Sequence, residues 1–425
     1  MPSPLKKPGL LRRENATRVA KNESLSRMVS PSDPKELSPL LVLIMAAATG
    51  LAVASNYFAQ PLLPTMAKEL WLSTAKAGII VTTAQLGYAA GLLFLVPLGD
   101  LFERRGLIVV MALLSAAGLL TTALAPTLTM VLVGTALTGL FSVVAQILVP
   151  FAATLAAPEQ RGKVVGTVMS GLLLGILLAR TVAGALTSLG SWRIVYYTGA
   201  GAMVVATMVL RRALPRHHQP VDLSYFRLLL SIFELFRAEP ILQTRALLGA
   251  ATFGTFSVFW TSMAFLLAGS PHWMSPSTIG LFGLVGVAGA LAASSAGRLA
   301  DRGKGDWATG GGLLVLLGSW LLLALVKYSL GAFLIGVLLL DLAVQGVHIS
   351  NQAAIYRIRP EARNRLTAAY MTSYFLGGAA GSLFSAAAFS HFGWMGVVAV
   401  GASMSACGGL VWVIVQGRAR LSSGP

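Results

Sequence analysis

Asp341, Gln345, His348 and Gln352 follow one another at spacings of four, three and four residues, with Asn351 beside the last of them. On an α-helix that spacing places all four on one stripe. The surrounding segment, 330–355, is otherwise apolar, so the stripe must face protein or water rather than hydrocarbon. A carboxylate at membrane depth costs about 2.5–3.5 kcal/mol on insertion scales and therefore asks for a partner or a task. Fourteen of the 15 Asp and Glu lie in loops or tails, and Asp341 is the exception. Arg180 is its counterpart, the one basic residue of 32 inside an apolar segment. At about 1.5 Å per residue the two lie about 13 and 16 Å from their segment ends. An ion pair between them is the expectation, because opposite charges at one depth offset each other's desolvation; the alternative is that each snorkels or finds backbone alone. His348 reads either as a neutral histidine bonded between helices or as a proton or solute group.

These groups need helices in lipid to hold them. The 425 residues are 56% apolar and 11% charged, with a mean hydropathy of +0.75, against about 25% charged in soluble proteins. Twelve segments meet the length of about 20 apolar residues that a spanning helix requires: 40–64, 76–98, 107–125, 129–153, 164–188, 194–211, 246–268, 278–298, 309–327, 330–355, 366–389 and 395–416. The net charge of +17 would suggest nucleic acid in a soluble protein. Here 27 of the 32 Lys and Arg fall on the side of the amino terminus, four on the other side and one in a span. The positive-inside rule thus accounts for the charge, excludes nucleic acid and puts both termini in the cytoplasm. The expected organisation is a disordered tail over 1–38, a six-helix bundle over 39–212, a linker over 213–244, a second bundle over 245–417 and a tail over 418–425. Within the linker, Leu223, Phe226, Leu230, Phe233 and Phe236 recur at helical spacing and predict a helix lying on the inner leaflet.

The two bundles repeat one another. Pro158-Glu159-Gln160-Arg161-Gly162-Lys163 returns 202 residues later as Pro360-Glu361-Ala362-Arg363-Asn364-Arg365, and the same offset joins Trp192 to Trp394, Gly175 to Gly377 and Gln146 to His348. Both halves enter the membrane from the same side, so they are parallel repeats. The fold class is all-α integral membrane, with twelve transmembrane helices in two pseudo-symmetric six-helix bundles. Gly171 and Gly175, like Gly377 and Gly381, have the four-residue spacing of close helix packing.

Gly297-Arg298-Leu299-Ala300-Asp301-Arg302-Gly303 resembles the G-x-L-A-D-R-x-G loop of the major facilitator superfamily, and Val96 to Arg105 is similar but has Val96 and Glu103 where glycine is usual. Gln60-Pro61-Leu62-Leu63-Pro64 is similar to the paired prolines of its twelve-helix drug:proton antiporter branch, which includes sugar and nucleoside exporters. Two positions depart from that branch: Thr135 stands where span 4 usually has Arg, and Ala179 to Gly184 replaces G-P-x-x-G-G. The resemblance implies a cavity lined by the first and fourth helices of each half. Asn56, Tyr57 and Gln60 in span 1, Gln146 in span 4, Phe259 and Trp260 in span 7 and the span 10 stripe would then line it, with Tyr370 and Tyr374 of span 11 nearby. An aromatic and amide lining suits an amphipathic solute. Asp100, Arg104, Arg105, Asp301 and Arg302 would hold the inner gate closed through helix-end and ion-pair contacts.

The reading is a monomeric secondary transporter of the inner membrane working by alternating access, most simply proton-coupled efflux of a small solute. It requires no cofactor or metal, because the chain has one cysteine and no phosphate-loop, H-E-x-x-H or G-x-S-x-G sequence. A membrane enzyme or a passive facilitator or channel is the alternative.

Overall fold

The computed structural model describes residues 37–217, 224–286, 305–359 and 362–422. The tail up to residue 36, Leu223, Asp301, Arg302 and the far part of span 8 lie outside the described residues. Within them, ten helices are long and apolar enough to cross a membrane. One of these, Arg363–Ser422, holds two passes parted at Gly393, whose φ of 61° and ψ of −153° interrupt the helix. The apolar helix Pro276–Gly286 begins the eighth pass, which brings the passes to twelve. All regular structure among the described residues is helical.

In chain order the helices are α1 (Pro39–Ala54), α2 (Ala59–Glu69), α3 (Thr74–Ala90), α4 (Arg104–Leu124), α5 (Leu128–Phe141), α6 (Val144–Leu155), α7 (Arg161–Thr187) and α8 (Arg193–Ala213). There follow α9 (Tyr225–Ala238), α10 (Pro240–Ala268), α11 (Pro276–Gly286), α12 (Gly305–Ala324), α13 (Leu330–Ile355) and α14 (Arg363–Ser422). Local chemistry sets several of their ends. Ser73, Thr127 and Ser329 cap α3, α5 and α13 by accepting a backbone N–H three residues on. Pro39 and Pro240 stand in first turns, where a missing N–H costs nothing. The first and fourth passes are each broken midway, at Ser55–Phe58 and at Ser142–Val143. The two breaks touch, since Asn56 donates from Nδ2 to Ser142 Oγ at 2.6 Å.

The small residues do the packing their spacing predicts. A Cβ on Gly175 would lie 2.1 Å from the Gly50 carbonyl oxygen, and one on Gly381 would lie 2.1 Å from that of Gly254. These approaches join α1 to α7 in one half and α10 to α14 in the other. The linker helix α9 is apolar on two sides. Leu228, Ile232 and Leu235 are buried, whereas Phe226, Leu230 and Phe233 of the expected stripe are exposed. Tyr225 ties α9 to the second pass by donating its hydroxyl to the Phe94 carbonyl at 2.9 Å. We call the side bearing Arg104, Arg105, Arg161 and Lys163, where α4, α7, α10 and α14 begin, the basic face, and the other the opposite face.

Candidate functional site

The interface between the halves changes character from one face to the other. At the opposite face it is closed by small and hydroxyl residues. Thr181 donates from Oγ1 to the Gly280 carbonyl at 2.9 Å, and Ser277 donates from Oγ to the Gly184 carbonyl at 3.0 Å. Thr82 and Ser382 share a hydrogen bond of 2.8 Å. Nearby, a Cβ on Gly78 would sit 2.1 Å from the Ala386 Cβ. Carbonyl groups and hydroxyls at such range leave no room for water.

Beneath this seal lie the buried charges. Arg180 donates from Nε to Gln60 Oε1 at 2.7 Å and from Nη1 to the Ile176 carbonyl at 3.3 Å. Its guanidinium carbon stands 3.9 Å from the centre of the Trp260 ring, 5.0 Å from that of Tyr57 and 5.4 Å from that of Phe256. Trp260 in turn donates from Nε1 to Asp341 Oδ1 at 3.2 Å. The direct ion pair expected between Arg180 and Asp341 is therefore replaced by a sandwich: no N···O contact within 4.0 Å joins them, and the indole stands between, its face on the cation and its edge on the anion. A ring quadrupole is negative on its face and positive at its edge, so one Trp can contact both charges favourably.

A layer of aromatic rings follows. Tyr88 stacks on Phe375 at 4.2 Å across the halves, Phe253 stacks on Tyr374 at 4.1 Å, and Phe253 meets both Phe375 and Phe256 at 5.0 and 5.4 Å. His348 joins from its own pass, with Nδ1 2.9 Å from the Tyr370 hydroxyl and its ring 4.7 Å from that of Tyr374. Tyr370 and Tyr374 thus stand beside the α13 stripe. Phe259, by contrast, packs within its own half against Phe333 and Trp394.

On the basic-face side of the rings is a cavity of about 340 Å³ between the halves, lined by Asp100, Arg104 and Gln146 from one and by Gln352, Tyr356 and Arg365 from the other. Gln146 donates from Nε2 to the Tyr88 hydroxyl at 3.2 Å, which links the cavity wall to the aromatic layer. Gln345 is half-buried on the same helix as Gln352. Arg104 holds the turn before α4, donating to the Gly99 carbonyl and to Thr154 Oγ1 at 3.1 Å each and lying 3.6 Å from Asp100.

This arrangement is that of a known group of proteins. The sequence pattern of the Major Facilitator Superfamily matches residues 45–307. The uncharacterized transporter YgaY of Escherichia coli O157:H7 is 62% identical over 89% of this chain and 96% of its own. The chain belongs to the major facilitator superfamily. A more distant relative is the inner membrane transport protein YnfM of Escherichia coli K12, 27% identical over 66% of this chain and 67% of its own. In fold, a bacterial homologue of the human lysosomal transporter Spinster, in an inward-facing and occupied conformation, superimposes with a TM-score of 0.72 at 14% identity, covering 91% of this chain and 98% of that one. The superfamily's members are transporters, and this chain is a membrane transporter, not an enzyme.

The superfamily loop departs from its usual form at Glu103, and the structure gives the reason. Glu103 caps α4, with Oε1 and Oε2 accepting the Arg105 and Gly106 N–H groups at 2.8 Å each. Its Oε1 also accepts the His217 N–H at 3.3 Å. Arg105 donates to the Leu214 carbonyl at 3.3 Å, so the loop is fastened to the linker. Three ion pairs escaped the sequence reading because their members are far apart in the chain: Glu69 with Arg193, Arg245 with Asp306 at 2.5 Å, and Glu239 with Arg359 at 2.7 Å. Arg245 also reaches Asn351 Oδ1 at 3.3 Å, tying the α13 stripe to the basic face.

Proposed function

We propose that this protein is a secondary active transporter that moves a small amphipathic solute across the inner membrane by alternating access, most simply as proton-coupled efflux. The observation that carries the reading is the asymmetric interface: halves joined by glycine and hydroxyl contacts at one face, and parted by a cavity of about 340 Å³ at the other. Rocking the two halves would exchange the closed and open ends around a fixed site. The charge bias of the loops makes the basic face cytoplasmic, with both termini there. The cavity then faces the cytoplasm, and the chain works as a monomer in the lipid bilayer, since both halves of the pathway come from one chain.

In this reading Asp341 is the coupling group. Among the described residues it is the one buried carboxylate, and its hydrogen bond to Trp260 leaves a single indole between it and Arg180. Asn56, Tyr57, Gln60, Trp260, His348, Tyr370 and Tyr374 serve the solute between the seal and the cavity, while Asp100, Arg104 and Arg105 govern the gate at the basic face. The relationship to an inner membrane transport protein supports the location.

Uptake of a labelled solute panel into proteoliposomes under imposed proton and sodium gradients tests the reading. Saturable transport that a proton gradient drives, that leaves the solute chemically unchanged, and that Asp341→Asn abolishes is the expected result. A covalently altered solute would indicate an enzyme, and flux that never saturates would indicate a channel. Asp100→Asn should slow turnover severalfold while equilibrium binding survives; loss of binding in folded protein would remove Asp100 from the gate.

A further inference from the structure

We propose that the transported solute is an amphipathic organic acid, its oxyanion received by Arg180 Nη2 and Gln60 Nε2. This rests on the transporter reading above and names the substrate class of that site. Arg180 and Gln60 are 2% and 1% exposed, yet each keeps one polar atom with no partner, Nη2 in the first and Nε2 in the second. Both atoms are donors, and the one acceptor on either side chain, Gln60 Oε1, bonds Arg180 Nε and reaches neither of them. Buried donors are almost always bonded, and two orphans on adjoining side chains ask for one acceptor that reaches both.

The protein does not supply it. Asp341 Oδ1 is engaged by the Trp260 N–H and no oxygen of Asp341 lies within 4.0 Å of an Arg180 nitrogen. Tyr57, Phe256 and Trp260 surround the guanidinium carbon, and with Nε and Nη1 bonded to Gln60 and Ile176 Nη2 is the edge atom left without an acceptor. A fork of guanidinium N–H and amide N–H matches the two oxygens of a carboxylate or those of a phosphonate. The rest of the solute would lie on the rings just below, where Phe253, Phe256 and Phe375 form a continuous apolar surface. A bare inorganic anion would leave that surface unused, so an acid with an apolar body is the better fit.

The test uses the detergent-purified full chain and shape-matched trios: naphthalene-2-carboxylate with its amide and amidine, benzoate with its amide and amidine, and chloride as the inorganic arm. Thermal stabilisation by the carboxylates over their amides and amidines, and over chloride at equal concentration, is expected. Gln60→Glu exchanges the Nε2 donor for a second, charged oxygen beside Arg180 and should weaken carboxylate binding by about tenfold or more while the protein stays folded. Should that variant fail to fold, Arg180→Lys, which keeps the charge and loses the fork, should weaken it likewise. Preference for an amide or amidine, an equal response to chloride, no response to any member, or undiminished binding in these variants overturns the assignment. Counterflow in proteoliposomes separates the two readings. Counterflow of a neutral or cationic member alone keeps the alternating-access reading and removes the acid, whereas carboxylate binding without counterflow of any member keeps the oxyanion site and removes the alternating-access reading.

Discussion

The two ends of the interface between the halves are built from opposite materials. The opposite face is closed by Gly78, Thr82, Thr181, Gly184, Ser277 and Ser382, all small and uncharged. The basic face presents Asp100, Arg104, Tyr356 and Arg365 around a cavity. Close backbone approach gains dispersion and hydrogen bonds without any desolvation of charge, whereas charged side chains in contact with water gain little when brought together. A seal of the first kind is tight but intolerant of volume. A rim of the second kind is loose and responds to what surrounds it. Under the alternating access proposed above both ends close in turn, and in this structure the opposite face is the closed one.

The largest expected effect comes from volume at the seal. Gly78→Leu would push against Ala386, whose Cβ is 2.1 Å from the place of even the first added carbon. Backbone, rather than a flexible side-chain end, would have to give. In a Cys407→Ser background carrying Thr82→Cys, labelling by an impermeant maleimide from the opposite face should rise about tenfold or more, an amount that a shift of only about 1.4 kcal/mol between the two states would produce. Gly201→Leu, where a Cβ meets nothing within 4 Å, should leave labelling unchanged. Equal labelling in the two variants would mean the close approach at Gly78 does not set the state.

Next in size is the bridge under the seal. Trp260→Leu removes both the face that meets Arg180 and the N–H that meets Asp341, while Trp260→Phe removes only the N–H. A desolvated cation–π contact is worth about 2 kcal/mol and a hydrogen bond to a charged group about 1.5–3 kcal/mol. The melting temperature of the purified protein should therefore fall in the order wild type, Phe, Leu. If Trp260→Phe matches wild type, the link from indole to Asp341 carries no energy and the sandwich reduces to the Arg180 stack. A smaller effect belongs to Thr82→Val, which keeps shape and loses the 2.8 Å bond to Ser382; at about 1 kcal/mol per bond, the maleimide assay with its reporter cysteine moved to Ser277→Cys, in the same Cys407→Ser background, should register a rise of about fivefold.

How much of this was legible beforehand differs along the same axis. Hydropathy read the passes well, because lipid imposes one rule on every helix. The 202-residue repeat likewise announced two halves, and it did so through loops such as Pro158 to Lys163. Asp341 and Arg180 stood out as lone charges, but their relation did not. Equal depth suggested a direct pair, whereas the indole of Trp260 intervenes, and no spacing in the sequence encodes which side chain fills the gap between two helices of different halves. Phe259 and Trp260 illustrate the limit. They are neighbours of similar chemistry, yet the first packs within its half and the second reaches the charges, since a helix turns by about 100° per residue and the rotation of α10 is fixed only by its partners. The orphaned donors of Gln60 and Arg180 were equally invisible, because an unmet hydrogen bond is a property of the assembled site.

The smallest effect is at the basic face and sharpens the comparison from the other side. Burial works against the Glu103 charge, but the N–H groups of Gly106, Arg105 and His217 and the nearby Arg105 charge outweigh it, so its carboxyl is held below the ordinary glutamate range. A group depressed in the folded state contributes stability above its unfolded pKa and loses that contribution as pH falls through the folded one. The wild type should thus gain over Glu103→Gln at neutral pH, by no more than the ~1 kcal/mol of a helix cap, and the gap should close on acidification below the usual glutamate range, about 4.3. Melting temperatures of both proteins across that pH window make the measurement. A gap that persists at the acid end would show that Glu103 acts through hydrogen bonds that its neutral carboxyl keeps and a Gln amide loses rather than through its charge, and the basic face would then be held, like the seal, by uncharged contacts.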